Sequence, residues 1–230
     1  MNRAAINCMV SPGKFYRRQH LRALAMLLAA LATLVPLSAC AQNSGPARDK
    51  WQHPEEVMDA LGLRRGNVVA DIGCGKGYFV FHFADRVGPA GRVEAEDVKQ
   101  SALSFITDEA AREGLHQIAV IQGTPDDPHL APHSLDVAFA MDTYHEWHEH
   151  ASMLRHIFLA LKPGGIVGDI DGVAPTGLPR AYYYQHHRMP ESLERAEVAA
   201  AGFRFIRNAG SFTRALDGKQ FYFLIFEKPK

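Results

Sequence analysis

Hydrophobic and polar positions along this chain fall into two rhythms that take turns. From Val68 onward, short apolar runs of strand character alternate with stretches in which apolar residues recur at helical spacing. The pattern predicts strands over 68–72, 92–98, 117–122, 135–141 and 166–170, with helices over 78–87, 101–113 and 150–161. Gly88-Pro89-Ala90-Gly91 turns the chain into the second strand, and Gly114 stops the second helix. Strand-then-helix repeats favour a parallel sheet covered on both faces, joined by right-handed crossovers. The end of the chain changes pattern: a helix over 191–201 closed by Gly202, then strands over 203–207 and 220–227, close enough to be antiparallel. Ahead of the first strand, Val57, Met58, Ala60, Leu61 and Leu63 keep a helical rhythm over 51–63, with Pro54 suited to a first turn and Gly66 ending the segment. The expectation is one Rossmann-like α/β domain over 51–230, doubly wound around a mostly parallel sheet with a C-terminal antiparallel strand.

The first residues follow neither rhythm. No acidic residue precedes Asp49, while Arg3, Lys14, Arg17, Arg18 and Arg22 are basic and an Ala/Leu-rich run extends from Leu24 to Leu37. That run is short of the roughly 20 apolar residues that cross a bilayer. Basic flank, short apolar run and small residues after it read as a signal peptide over 1–39. Its end, Leu37-Ser38-Ala39-Cys40, resembles the lipobox of bacterial lipoproteins, which implies lipidation of Cys40 and a membrane anchor. Ala41, in place of Asp, points to the outer membrane; a plain signal peptide cleaved near Ala39 or Ala41 is the alternative. Tyr16 to Arg22 also resembles a twin-arginine export signal, with His20 where Phe is usual. Residues 40–50, small and polar, read as a tether, and the protein as an exported, periplasm-facing lipoprotein of the bacterial envelope.

Removal of the leader changes the charge. Five of the 25 basic residues and none of the 25 acidic ones lie before Cys40, so the remainder carries a net charge of about −5. A nucleic-acid partner normally leaves a basic footprint, and none is present. With Cys8 cleaved off and Cys40 acylated, Cys74 is alone, which leaves no disulfide and no cysteine metal site. It reads as a packing residue.

The chemistry concentrates at Asp71-Ile72-Gly73-Cys74-Gly75-Lys76-Gly77, where a strand ends in an acid and opens into glycines at alternate positions. The spacing is G-x-G-x-G, not the G-x-G-x-x-G of dinucleotide loops, and an acid at the strand end suits a ligand with positive charge better than a pyrophosphate. Gly77 follows Lys76 where a phosphate-binding P-loop needs Ser or Thr. Asp71, Gly73, Gly75 and Gly77, with Asp97, the Asp142-Thr143-Tyr144-His145 segment and Leu161-Lys162-Pro163-Gly164-Gly165, resemble the ordered motifs of class I S-adenosylmethionine-dependent methyltransferases. The likeness runs from about Trp51 to the C-terminus.

That resemblance implies S-adenosyl-L-methionine as cofactor. Asp71 and the backbone of Gly73, Gly75 and Gly77 would hold its methionine end, and Asp97 would accept from the ribose hydroxyls. Thr124 stands where relatives often place an acid against adenine, with Asp126 and Asp127 just beyond. Asp142 belongs to the loop that faces sulfonium and acceptor, and His145 or Tyr144 would be the general base, unless His145 only orders the loop. The Asn/Asp-Pro-Pro-Tyr/Phe signature of amino-group methylation on nucleic acids or glutamine is missing. His-Glu-x-x-His is not met, since Glu149 stands four after His145 and His186-His187 lie elsewhere; loop histidines in solvent, without a metal, are expected. Residues 172–189, rich in Tyr and His, would cover a small organic acceptor or serve only as surface packing; Trp51 is a lid or an anchor. The function expected is methyl transfer to a small molecule. Because the donor is made in the cytoplasm, the alternative is an exported, non-catalytic nucleoside- or small-molecule-binding protein.

Overall fold

Val68–Ile72 (β1) is built from apolar residues interrupted by one acid, and its side chains are buried on both faces from Val69 on. Only a central strand can bury both faces, and β1 pairs in parallel with Arg92–Asp97 (β2) on one side and Leu135–Met141 (β4) on the other. The computed structural model describes residues 46–214 and 216–230, so the predicted signal peptide and Cys40 lie outside the described residues. Ile118–Gln122 (β3) extends the sheet beyond β2, and Leu161–Gly172 (β5) beyond β4. Arg204–Thr213 (β6) and Gln220–Glu227 (β7) complete the order β3-β2-β1-β4-β5-β7-β6, with β7 antiparallel to both neighbours. The chain reverses direction across the sheet between β1 and β4, the place where open α/β sheets leave a crevice at their carboxyl ends. The Rossmann-like expectation is met.

Helices cover both faces. On one, Tyr78–Val87 (α3) buries Tyr78, Phe79, Val80, Phe83, Ala84 and Val87, and the rings of Phe79 and Phe83 lie 4.7 and 5.3 Å from Phe139 of β4. Gln100–Glu113 (α4) buries Leu103 and Ile106 on the same side, and Gly114 ends it in a left-handed conformation with φ 69°. On the other face, His150–Ala160 (α5) turns Met153, Leu154, Ile157 and Ala160 inward, and Glu191–Ala200 (α7) adds Val198.

Three departures from the pattern have local causes. Residues 46–50, read as tether, are helical: Pro46–Gln52 (α1) and Pro54–Ala60 (α2) are separate helices. Pro54 has no N–H to continue a helix, so the chain kinks at His53, whose φ is 47°. The second helix ends before Gly62, not at Gly66, with Gly62 taking φ 67°. Strand β6 runs on to Thr213; as an edge strand it is exposed along most of its length and carries no apolar alternation to announce it. Two short elements were absent from the prediction, a 3-10 turn over Tyr144–Glu146 and the helix Arg180–Gln185 (α6).

One polar cluster lies deep between sheet and α7. Glu194 is fully buried and its Oε2 accepts from the Tyr222 hydroxyl at 2.5 Å, while Asp169 of β5 is buried beside it. Three carboxylate oxygens of this pair have no hydrogen-bond partner if both are ionised; one retained proton joins them. Burial first, and then the charges of nearby acids, Asp171 among them, hold both carboxyls well above their usual range, Glu194 at about 8. The folded state therefore keeps a proton that the unfolded chain gives up. That contribution is complete below the ordinary carboxyl range and is lost as pH rises through about 8, with a slope of at most about 1.4 kcal/mol per pH unit. Thermal denaturation across this window should show stability falling toward alkaline pH. Glu194→Gln, which keeps a donor toward Asp169, should flatten that fall relative to the unsubstituted chain.

Candidate functional site

At the reversal between β1 and β4 a cavity of 460 Å³ opens, within the range of small-molecule sites. Its floor is the corner after β1. Gly73 takes φ 69°, and a Cβ on it would stand 2.3 Å from Cγ2 of Thr143, so the β1 and β4 loops touch only because this residue is glycine. Gly75 takes φ 54° and a Cβ there would meet nothing within 4 Å, which leaves the backbone bare toward the cavity it lines.

The amides of this corner are spent within the protein. Gly73 N–H donates to Glu96 Oε2 at 3.2 Å, Gly75 N–H to Asp97 Oδ2 at 2.9 Å and Gly77 N–H to the Cys74 carbonyl at 2.9 Å. Lys99 N–H donates to the other oxygen of Asp97 at 2.8 Å. The Gly73 and Gly75 amides thus hold two carboxylates, and those carboxylates face the cavity. Gly77 does not line it. Gly77 begins α3 with φ 81°, where a Cβ would crowd Ile106 and Phe81.

The resulting wall is rich in acceptors. Asp71 is buried, and burial, reinforced by the charge of Asp97 and opposed by that of Arg48, raises its pKa to about 7. Glu96 is raised to about 8, again chiefly by burial, and its Oε1 is buried without a partner. Burial and the same carboxylates push the Cys74 thiol up, which keeps it protonated and unreactive. Such a wall asks for ammonium and hydroxyl donors and would repel phosphate. Lys76, Lys99 and Arg48 of α1 also line the cavity; the Arg48 guanidinium lies 4.0 Å over the Tyr78 ring, while the Tyr78 hydroxyl donates to Asp49 Oδ1 at 2.7 Å.

Residues 69–165 match a family described as "Methyltransferase domain". A solved S-adenosylmethionine-dependent methyltransferase from Aquifex aeolicus superposes with a TM-score of 0.67 at 23% identity, over 80% of this chain and 94% of that one. The fold is the class I methyltransferase fold. Among curated proteins, nocamycin O-methyltransferase of Saccharothrix syringae is 30% identical over 122 residues, 53% of this chain and 44% of that protein. Demethylmenaquinone methyltransferase of Geobacillus stearothermophilus is 25% identical over 137 residues, 59% of this chain and 58% of that protein. The chain spans about half the length of the curated relatives it matches.

Within this class I fold, Asp71, Gly73, Gly75, Asp97 and Asp142 come together on the cavity wall. Asp142, at φ 55°, has its Oδ1 held by Lys219 Nζ at 2.6 Å. Thr124 stays off the wall, its hydroxyl donating to Asp126 Oδ1 at 2.8 Å, and Pro125 lines the cavity instead.

Neither candidate base lines the cavity. Tyr144 is buried in the core and its hydroxyl donates to Glu197 Oε2 at 2.8 Å; burial and nearby acids push its pKa far up. His145 is buried with Nδ1 at 2.8 Å from Asp171 Oδ1. The 3-10 turn rotates both side chains inward and leaves Glu146, Trp147 and His148 on the wall. His148 packs on Tyr184 of α6, with ring centroids 4.3 Å apart, so the Tyr/His-rich segment does reach the cavity. Trp51 lies outside it, 5.4 Å from the Phe221 ring, in the position of an anchor.

Sequence reasoning missed Arg48, placed in a presumed tether, and named Asp97 without Glu96; the unbroken acid pair Glu96-Asp97 at a strand end was the available signal. A ligand cation at Asp71 requires the carboxylate, whose proton leaves only near pH 7. Affinity for a probe that carries an ammonium group, such as the amino-acid-bearing nucleoside S-adenosylhomocysteine, should rise up to about tenfold per pH unit below pH 7 and level off above it. Calorimetry in buffers of different ionisation enthalpy should show proton release on binding. Asp71→Asn should bind more weakly and with a shallower dependence.

Proposed function

We propose that this chain is an S-adenosylmethionine-dependent methyltransferase acting on a small-molecule acceptor. The observation that carries the reading is the acceptor-rich wall of Asp71, Glu96 and Asp97 beneath the glycine corner, faced by Arg48, at the switch point of a class I fold. Asp71 would take the ammonium of the donor's amino-acid end and Arg48 its carboxylate. Asp97 would take the ribose hydroxyls, with Glu96 Oε1 the remaining acceptor. Val98 and Pro125 would bound the adenine. Bound S-adenosylmethionine supplies a methyl group made electrophilic by its sulfonium.

The protein's share is orientation and exclusion of water. Met141, Trp147, Met153 and Tyr184 make the other part of the cavity apolar and aromatic, which suits an organic acceptor with a flat ring. Glu146 and His148 are the wall groups placed to receive the acceptor's proton, in place of Tyr144 and His145. The names of the curated relatives, one an O-methyltransferase and one acting on demethylmenaquinone, support a small acceptor, as does the absence of a basic footprint. Calorimetry on the full chain should show micromolar binding of S-adenosylmethionine and S-adenosylhomocysteine. Arg48→Ala should weaken both about tenfold, the loss of one charge-assisted hydrogen bond, with little change in melting temperature. No heat and no thermal shift with either compound would remove the basis of the proposal.

The same proposal places the domain outside the cytoplasm, with 1–39 as leader and Cys40 acylated, on the strength of the basic-apolar-small pattern and the Leu-Ser-Ala-Cys ending. Mass spectrometry of the protein from bacterial membranes should find a mature chain beginning at a lipid-modified Cys40. A chain retaining Met1, or one starting at unmodified Ala41, counts against it.

A further inference from the structure

The 3-10 turn after β4 and the segment after α6 meet beside the cavity, and their donor atoms converge. His145 Nε2 lies 3.2 Å from His187 Nδ1. Glu146 Oε1 stands 4.0 Å from the first and 3.8 Å from the second, too far to hydrogen-bond either. We propose that His145 Nε2, His187 Nδ1 and the Glu146 carboxylate bind a divalent transition-metal ion of the zinc class.

The state of His145 is set by its other nitrogen. Asp171, fully buried, can only accept, so Nδ1 of His145 carries the proton it donates at 2.8 Å, and Nε2 presents a lone pair. Asp171 is itself fixed, accepting from the backbone N–H of His145 at 2.9 Å and of Gly172 at 2.5 Å, so the imidazole cannot turn away. A carboxylate behind a ligating histidine is the usual support of a metal site, because it fixes the tautomer and raises ligand basicity.

The spacing fits as well. Donors bound at about 2.1 Å in a tetrahedral set stand roughly 3–3.5 Å apart. The two imidazole nitrogens already do; Glu146 and His187 are surface side chains, 47% and 65% exposed, with freedom to close the remaining distance. His187 is held in reach by its backbone, at φ 50°, and by Lys219 Nζ on its carbonyl at 2.5 Å. Two imidazoles and one carboxylate suit zinc, cobalt or nickel; magnesium and calcium prefer oxygen sets. A second grouping, Asp142, His145 and Asp171, is closed to an ion: Asp142 carries the Lys219 ammonium at 2.6 Å, and Asp171 is spent on Nδ1.

This site does not depend on a methyl donor. Since Glu146 also lines the donor cavity, the ion would stand at its wall, with three protein ligands leaving a position for water or a heteroatom of a ligand.

The test is a titration of the chelator-stripped full chain with Co²⁺ followed by its visible absorption, with Zn²⁺ in competition and Mg²⁺ as control. One ion per chain should bind with micromolar or tighter affinity, with ligand-field bands of low-symmetry geometry and no saturation by Mg²⁺. His187→Ala and Glu146→Gln, both at exposed positions that leave the fold intact, should each weaken binding at least about tenfold, and Asp171→Asn about 10–100-fold. Absence of saturable Co²⁺ binding would overturn the proposal. So would equal binding by the parent and the His187→Ala chain, which would reduce the histidine pair to a hydrogen bond and put the ion elsewhere.

Discussion

Three carboxylates, Asp71, Glu96 and Asp97, meet at the carboxyl ends of two adjacent strands, and the rest of the site is arranged around the cost of holding them there. Buried like charges repel, and the structure limits that repulsion by turning backbone amides of the glycine corner onto Glu96 and Asp97. Gly73 must be glycine for the corner to pass Thr143, and the corner must pass Thr143 for its amides to reach the acids. What is left over, a protonated or half-protonated Asp71 and a partnerless Glu96 oxygen, is a demand for donors from outside. A groove built for phosphates would present the reverse, free amides and no acids.

Two short helices complete the cavity. Helix α1 brings Arg48 across the acidic wall, tied down by Tyr78 and Asp49, and α6 brings Tyr184 against His148. The first supplies a charge complementary to the corner; the second supplies aromatic surface. The 3-10 turn between β4 and α5 links the two halves, since it sends Tyr144 and His145 into the interior and Glu146, Trp147 and His148 to the wall. Beneath it Asp171 holds His145, and Lys219 ties the loop carrying His187 to Asp142. Turn, cover and sheet are thus bound by charged hydrogen bonds as well as by the apolar packing of Tyr144, Trp147 and Tyr183.

Much of this was legible in the order of residues. Strands β1, β4 and β7 and helix α3 have the bounds that periodicity assigns, because each packs a continuous apolar face whose spacing is a local property of the chain. Asp71, Gly73, Gly75, Asp97 and Asp142 were recognisable because they resemble the ordered motifs of a known family, at fixed offsets from one another. Helix α1 was not recognisable; seven residues rich in polar side chains look like a linker until Tyr78 and the cavity stand beside them. Nor was the extension of β6, which is defined by hydrogen bonds to β7 instead of by its own side chains.

The sequence by itself determined the alternation of strands and helices, the glycine corner and the acids at its rim, because those depend on spacings of a few residues. Tertiary structure alone decided that Tyr144 and His145 face inward, that Glu96 joins the wall, that Arg48 closes it, and that His187 reaches His145 from 42 positions away. A side chain's direction in an irregular turn, and the meeting of loops from different crossovers, follow from the twist and order of the whole sheet. No local spacing encodes them.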